Sequence, residues 1–159
     1  NDGGQLTILQ STVTNNVATG TSGSGGGVSS LGGTLTVRQT DFSSNVARRA
    51  GGGIEIAGGS STLQAVDLRG NITANNPGNG GGLHVGGTGS VRYNNGTVAG
   101  NLASSEGGGL WNGSTAKLIV SNVTIRNNTA PVGRNVYNQP PGGDFRIDGV
   151  AVAPGPNSL

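Results

Sequence analysis

The sequence contains no cysteine and no methionine. A disulfide scaffold and a thiolate metal site are therefore both excluded. Aromatic residues are scarce, with one Trp, two Tyr and two Phe, so the stacking platforms that read single-stranded nucleic acid are missing. Charge is scarce as well. Nine Lys plus Arg stand against seven Asp plus Glu, only Arg48 and Arg49 are adjacent, and the net charge is +2. That is too weak a basic footprint for nucleic acid as a partner. No run approaches ~18 apolar residues, so no membrane span is expected. Six prolines and the lack of a Gly-X-Y period exclude collagen. The chain begins at Asn1 without a basic n-region or an apolar h-region, so no signal peptide is read in it.

What the chain does have is Gly, 33 residues of it, and with Asn, Ser and Thr this makes up about half of the sequence. Leu, Ile, Val and Phe together reach 22%, just above the level of ~20% at which chains fail to bury enough apolar surface to fold. Such a composition suits a narrow core built by repetition. Three short patterns recur in fixed order. The first is apolar-x-apolar: Leu6/Ile8, Leu35/Val37, Leu63/Ala65, Val91/Tyr93, Leu118/Val120 and Phe145/Ile147, at steps of 29, 28, 28, 27 and 27 residues. The second is apolar-x-x-Asn: Val13/Asn16, Phe42/Asn45, Ile72/Asn75, Val98/Asn101 and Ile125/Asn128, with a sixth copy, Val152/Gly155, that has lost the Asn. The third is a Gly triplet followed by Val28, Ile54, Leu83 or Leu110, degenerate at Gly133-Arg134-Asn135-Val136.

Each pattern alternates as a half-buried strand does, and Gly and Asn punctuate the chain where corners need positive φ. A repeat of about 27 residues holding three short strands predicts an all-β fold, a right-handed three-sided parallel β-helix of about six coils. One domain over 1–159 is expected, with no capping helix and a Pro/Gly tail at 153–159. Equivalent apolar residues should stack, with Leu6, Leu35, Leu63, Val91, Leu118 and Phe145 in one column and Val13, Phe42, Ile72, Val98, Ile125 and Val152 in another. Two residues more lie between Ala65 and Ile72 than in the other coils, so a bulge or displaced corner is expected there. The column Asn16, Asn45, Asn75, Asn101 and Asn128 reads as an amide ladder, because an amide both donates and accepts and can bond to its own kind up a stack.

Segments such as GGGVSSLGGTLTVRQTDFSSNVA and GGGLWNGSTAKLIVSNVTIRNNTA resemble the right-handed parallel β-helix repeats of bacterial surface proteins, polymorphic outer-membrane and autotransporter-type passengers among them. The resemblance covers roughly residues 5 to 155. It implies this fold and an extracellular setting, and it leaves adhesin, stalk and scaffold as roles.

The residues offer little for catalysis. With the repeats stacked, Asp41 is expected level with Thr12 and Asn71, and Glu55 level with Ser29 and His84. No pair of carboxylates spaced for glycoside hydrolysis is read, nor a clustered oxygen site for calcium. The expectation is no enzyme, no metal and no cofactor. The column Ser29, Glu55, His84, Trp111, Tyr137 could form a glycan-binding strip at His84, Trp111 and Tyr137, or ordinary cross-strand stacking. An outward column Thr7, Thr36, Gln64, Arg92, Ile119, Arg146 is too interrupted for an ice-ordering face. Five Asn-x-Ser/Thr sequons, at Asn71, Asn95, Asn112, Asn122 and Asn127, could accept N-glycans. At the ends, Leu6, Ile8, Phe145, Ile147, Val152 and Leu159 would leave an uncovered core. Head-to-tail pairing of copies of the chain into a fibre or surface scaffold is the function this suggests, with an adhesin that binds surface glycans as the alternative.

Overall fold

In the computed structural model, which describes residues 1–152, all regular structure is β and every strand pair is parallel. The chain winds into a three-sided solenoid of about five turns. The longest sheet is built from β1 (Gln5–Leu9) with β2 (Thr12–Thr14), then β5 (Thr34–Ser43), β8 (Ser60–Arg69), β11 (Ser90–Ala99), β14 (Lys117–Arg126), and β16 (Asp144–Asp148) with β17 (Ala151–Val152). The second sheet stacks β3 (Val17–Ala18), β6 (Val46–Ala47), β9 (Ile72–Thr73) and β12 (Leu102–Ala103). The third stacks β4 (Val28–Ser30), β7 (Ile54–Ile56), β10 (Leu83–Val85), β13 (Leu110–Asn112) and β15 (Val136–Asn138). Each rung pairs with its equivalent one coil away, so backbone groups between two coils are satisfied by repetition rather than by local turns.

The inward positions form the core. One column runs Leu6, Leu35, Ser61, Val91, Leu118, Phe145 and the next Ile8, Val37, Leu63, Tyr93, Val120, Ile147. A third runs Val13, Phe42, Leu68, Val98, Ile125, Val152. The third coil thus departs from the expected frame. Ser61 and Leu63, not Leu63 and Ala65, are its inward pair, and Leu68 replaces Ile72. There is no extra bulge between Ala65 and Ile72, since β8 has the same ten residues as β5, β11 and β14. Ala65 instead takes the left-handed conformation (φ 53°) shared by Gln39, Asn95 and Asn122 at the same place in their rungs. Ile72 lies on the outer face of the second sheet, between Val46 and Leu102. The outward threonine column is corrected in the same way: it reads Thr7, Thr36, Thr62, with Gln64 beside Arg38 and Asn94.

Two packing details show how the core keeps a constant width. Tyr93 is larger than its neighbours Leu63 and Val120, and the residue three further on is Gly96, where the adjacent rungs carry Val66 and Val123. Gly96 has a φ of 146°, and a Cβ there would strike the Val66 carbonyl and lie 3.1 Å from the Tyr93 hydroxyl, which donates to that carbonyl at 2.7 Å. The third glycine of each triplet lies against a carbonyl of the next coil, and in three of the four triplets against a ladder asparagine as well. A Cβ at Gly53, Gly82 or Gly109 would press on the side chain of Asn71, Asn101 or Asn128. These three triplets are therefore the floor on which a buried asparagine lies.

Candidate functional site

The asparagine ladder is the best-defined polar feature. Its hydrogen bonds run Asn16, Asn45, Asn71, Asn101, Asn128, each Nδ2 donating to the Oδ1 of the next at 2.9–3.0 Å. That same Oδ1 also accepts a backbone N–H from the preceding asparagine, and the second Nδ2 hydrogen of each inner member goes to a carbonyl of the coil before. Every inner amide is thereby saturated, which is what allows Asn45, Asn71 and Asn101 to be buried to 1% exposure or less. The third rung is Asn71 and not Asn75, which is exposed. At the far end the ladder turns onto Asn135, whose Oδ1 accepts from Asn128 Nδ2 at 3.0 Å.

The second feature is the outer face of the third sheet. Its column reads Ser29, Glu55, His84, Trp111, Tyr137, as the spacing implies. Although it points away from the core, Glu55 is 2% exposed and His84 and Trp111 are 6% exposed. Arg49, from the corner before β7, donates to Glu55 Oε1 at 2.6 Å. Burial pushes the Glu55 carboxyl up, and the Arg49 guanidinium opposes this. The His84 ring lies flat on Trp111, with centroids 4.3 Å apart and planes within 9°. Its Nδ1 has no hydrogen-bond partner and sits 3.8 Å from Glu55 Oε1. Burial, with Arg49 nearby, lowers the imidazole to about 3, so His84 is neutral and the approach to Glu55 is not an ion pair. Trp111 Nε1 donates to Glu106 at 3.0 Å, and Tyr137 stacks on its other side with centroids 6.4 Å apart. Burial and the Glu106 carboxylate raise the Tyr137 hydroxyl.

Both faces of Trp111 are therefore occupied by protein rings, and only Tyr137 of the strip is partly open. Sequence reasoning placed the column but missed Arg49, Glu106 and the His84–Trp111 stack. The signal for the two charged residues was present. Each precedes its partner by five or six residues at the Gly corner, and the corner folds the chain back beside the strand.

On the long sheet, the carboxylates disagree with the expected alignment. Asp41 is level with Thr12 on one side but with Asp67, not Asn71, on the other. Asp67 accepts from the Thr97 backbone and from Arg69, while Asp41 accepts from Ser43 and keeps a buried Oδ1 without a partner. Of the sequon asparagines, Asn71 and Asn112 are fully buried, so no glycan can be attached there in the folded chain. Asn95, Asn122 and Asn127 are exposed and left-handed. Among the end residues, Leu6, Ile8, Phe145, Ile147 and Val152 are partly covered; Leu159 and the 153–159 tail lie outside the described residues. Among the described residues no group of three or more His, Asp and Glu could hold a metal ion, and no helix is long and apolar enough to cross a membrane. No family model, curated protein or solved structure matches the chain.

Proposed function

We propose that the protein is a non-enzymatic, extracellular structural element, a β-solenoid subunit that stacks end to end with further copies of itself into a fibre or surface scaffold. One observation carries this reading. The apolar columns continue without a change of register into both end coils, where they are only half covered. Leu35, Val37 and Phe42 are 0% exposed, whereas Leu6, Ile8 and Val13 one coil below are partly exposed, as are Phe145, Ile147 and Val152 at the other end. Strand addition by a further copy would cover the exposed halves of these columns. Because the two ends differ, the contact is heterologous and propagates rather than closing. The resemblance to bacterial surface passengers agrees with this setting.

Negative-stain microscopy and sedimentation of the purified chain test the reading. Rods whose length grows with protein concentration are expected, and Leu6→Lys or Ile147→Lys should return them to single subunits without loss of β signal in circular dichroism. Monodisperse short rods at every concentration would refute stacking.

A further inference from the structure

The outer face of the long sheet is bent, because the sixth residue of each ten-residue rung is left-handed: Gln39, Ala65, Asn95 and Asn122 have φ of 49°, 53°, 57° and 54°. Over the later rungs this bend leaves a concavity of about 380 Å³ lined by Arg92, Asn94, Ile119, Ser121, Asn122 and Asp148. The size falls within the roughly 300–1,000 Å³ of small-ligand sites.

Three features distinguish it from an ordinary patch of polar surface. Its amides are held in place by a second, external ladder, in which Asn122 Nδ2 donates to Asn94 Oδ1 at 3.3 Å and Asn94 Nδ2 to Gln64 Oε1 at 3.2 Å. The rung above withholds a side chain, since Gly149 stands where a Cβ would lie 2.6 Å from Asn122 Oδ1. Arg92 and Asp148 both border the hollow, yet neither forms an ion pair among the described residues, although Asp67, Lys117 and Asp144 on the same sheet do.

We infer that this concavity binds a neutral carbohydrate. A guanidinium can only donate, a carboxylate can only accept, and amide and hydroxyl groups do both. Neighbouring hydroxyls of a sugar ring meet that mixed set, because each hydroxyl also donates and accepts. The aliphatic side chain of Ile119 supplies a dry surface for the C–H face of the ring. An anionic sugar would meet the Asp148 carboxylate, and a cationic one the Arg92 guanidinium, so two unpaired charges of opposite sign favour a ligand with no net charge. The site is on a different sheet from the His84–Trp111–Tyr137 strip, and it does not rest on end-to-end stacking.

The test is saturation-transfer NMR on the whole chain with hexasaccharides of neutral glucans, mannans, galactans and chitin, and with hexagalacturonate as the acidic comparison. Transfer to at least one neutral hexasaccharide is expected. Asn122→Ala and Asp148→Ala should each weaken it about tenfold or more, with circular dichroism unchanged and only a small fall in melting temperature for Asn122→Ala, whose left-handed backbone suits Ala less well, while Trp111→Phe leaves binding as it was. Lack of transfer to every neutral sugar, stronger binding of hexagalacturonate, or binding indifferent to both Asn122→Ala and Asp148→Ala would each overturn the inference.

Discussion

Asn128 donates its side-chain amide to Asn135, only seven residues further along the chain, whereas every other ladder bond spans 26 to 30 residues. Asn135 occupies the place of the third glycine in the last triplet, the counterpart of Gly109. At Gly53, Gly82 and Gly109 that glycine clears room for the asparagine beside it. In the last coil the residue instead supplies the amide group that the ladder needs next. The Gly-to-Asn change in the degenerate triplet therefore carries the internal ladder one bond beyond Asn128.

The ladder also yields the sharpest contrast between two residues of one type. Asn71→Ala removes the acceptor of two Asn45 N–H groups and the donor to the Phe42 carbonyl, all without access to water. A loss of about 3 kcal/mol or more is expected, because several buried groups are orphaned at once. Asn75→Ala should change stability by less than about 0.5 kcal/mol, as exposed substitutions do. Urea unfolding of both variants decides it, and equal losses would mean that the hydrogen-bond assignment is wrong.

The same pair explains how much was legible beforehand. The three recurrent patterns specified the solenoid, its sides and most columns, because apolar residues at one step cannot all face inward in another fold. The third coil is ambiguous in sequence for a definite reason. Its ladder steps are 26 and then 30 residues, which average to the 28 that neighbouring coils suggest. Ser61 places a hydroxyl where the other coils of that column have an apolar side chain, so Leu63 looked like the missing member. Leu68 and Asn71 then passed unnoticed in favour of Ile72 and Asn75, which repeat the same apolar-x-x-Asn spacing four residues later. The burial of His84 and Trp111 was not legible, since it depends on corners whose lengths follow no repeat.

The Asp41–Asp67 pair is a local liability. The two carboxylates stand on adjacent rungs, and like charges directly opposite one another destabilise a sheet. Thr12, Thr97 and Thr124 stand at three of the other four rungs of that column, and Ala151 at the fourth. Asp41→Thr should therefore raise stability at neutral pH by about 0.5 kcal/mol or more, measured by the shift of the urea midpoint at constant slope. The gain should shrink at high salt, where the repulsion is screened. A loss of stability would show instead that Asp41 is held by an attraction that its hydrogen bond to Ser43 does not account for.

Tyr93 and Gly96 should behave as one unit. Gly96→Val brings a side chain against the Tyr93 hydroxyl and the Val66 carbonyl. Tyr93→Val loses buried volume and the hydrogen bond to that carbonyl. The double variant carries the same two side-chain types as Val120 and Val123 of the next rung, and although position 96 keeps its positive φ of 146° and its contact with the Val66 carbonyl, the clash with the Tyr93 hydroxyl is gone. It should be more stable than the sum of the two single losses by about 1 kcal/mol or more, the range seen for residues in contact. A double-mutant cycle by thermal unfolding measures this, and simple additivity would dismiss the compensation.

The His84–Trp111 stack gives a pH readout from the single tryptophan. Imidazolium quenches indole emission on contact, so Trp111 fluorescence follows the charge on His84. The folded value of about 3 lies below the 6.5 of an unfolded histidine. Stabilisation from holding the ring neutral is therefore fully present above 6.5 and is lost as pH falls toward 3, at up to about 1.4 kcal/mol per pH unit. Glu55 acts in the opposite sense. Its raised carboxyl favours the folded state below 4.5, and that contribution is lost as pH rises through its folded value. Arg49 donates to Glu55, Glu106 accepts from Trp111 Nε1, and Tyr137 stacks on the far side of Trp111. The expected result is constant Trp111 emission from pH 8 down to about 5, then a fall. His84→Gln should remove that fall and flatten the stability profile between about 6.5 and 4.5. A quenching midpoint near 6.5 in the folded protein would mean that His84 is solvated and that the strip is open to water.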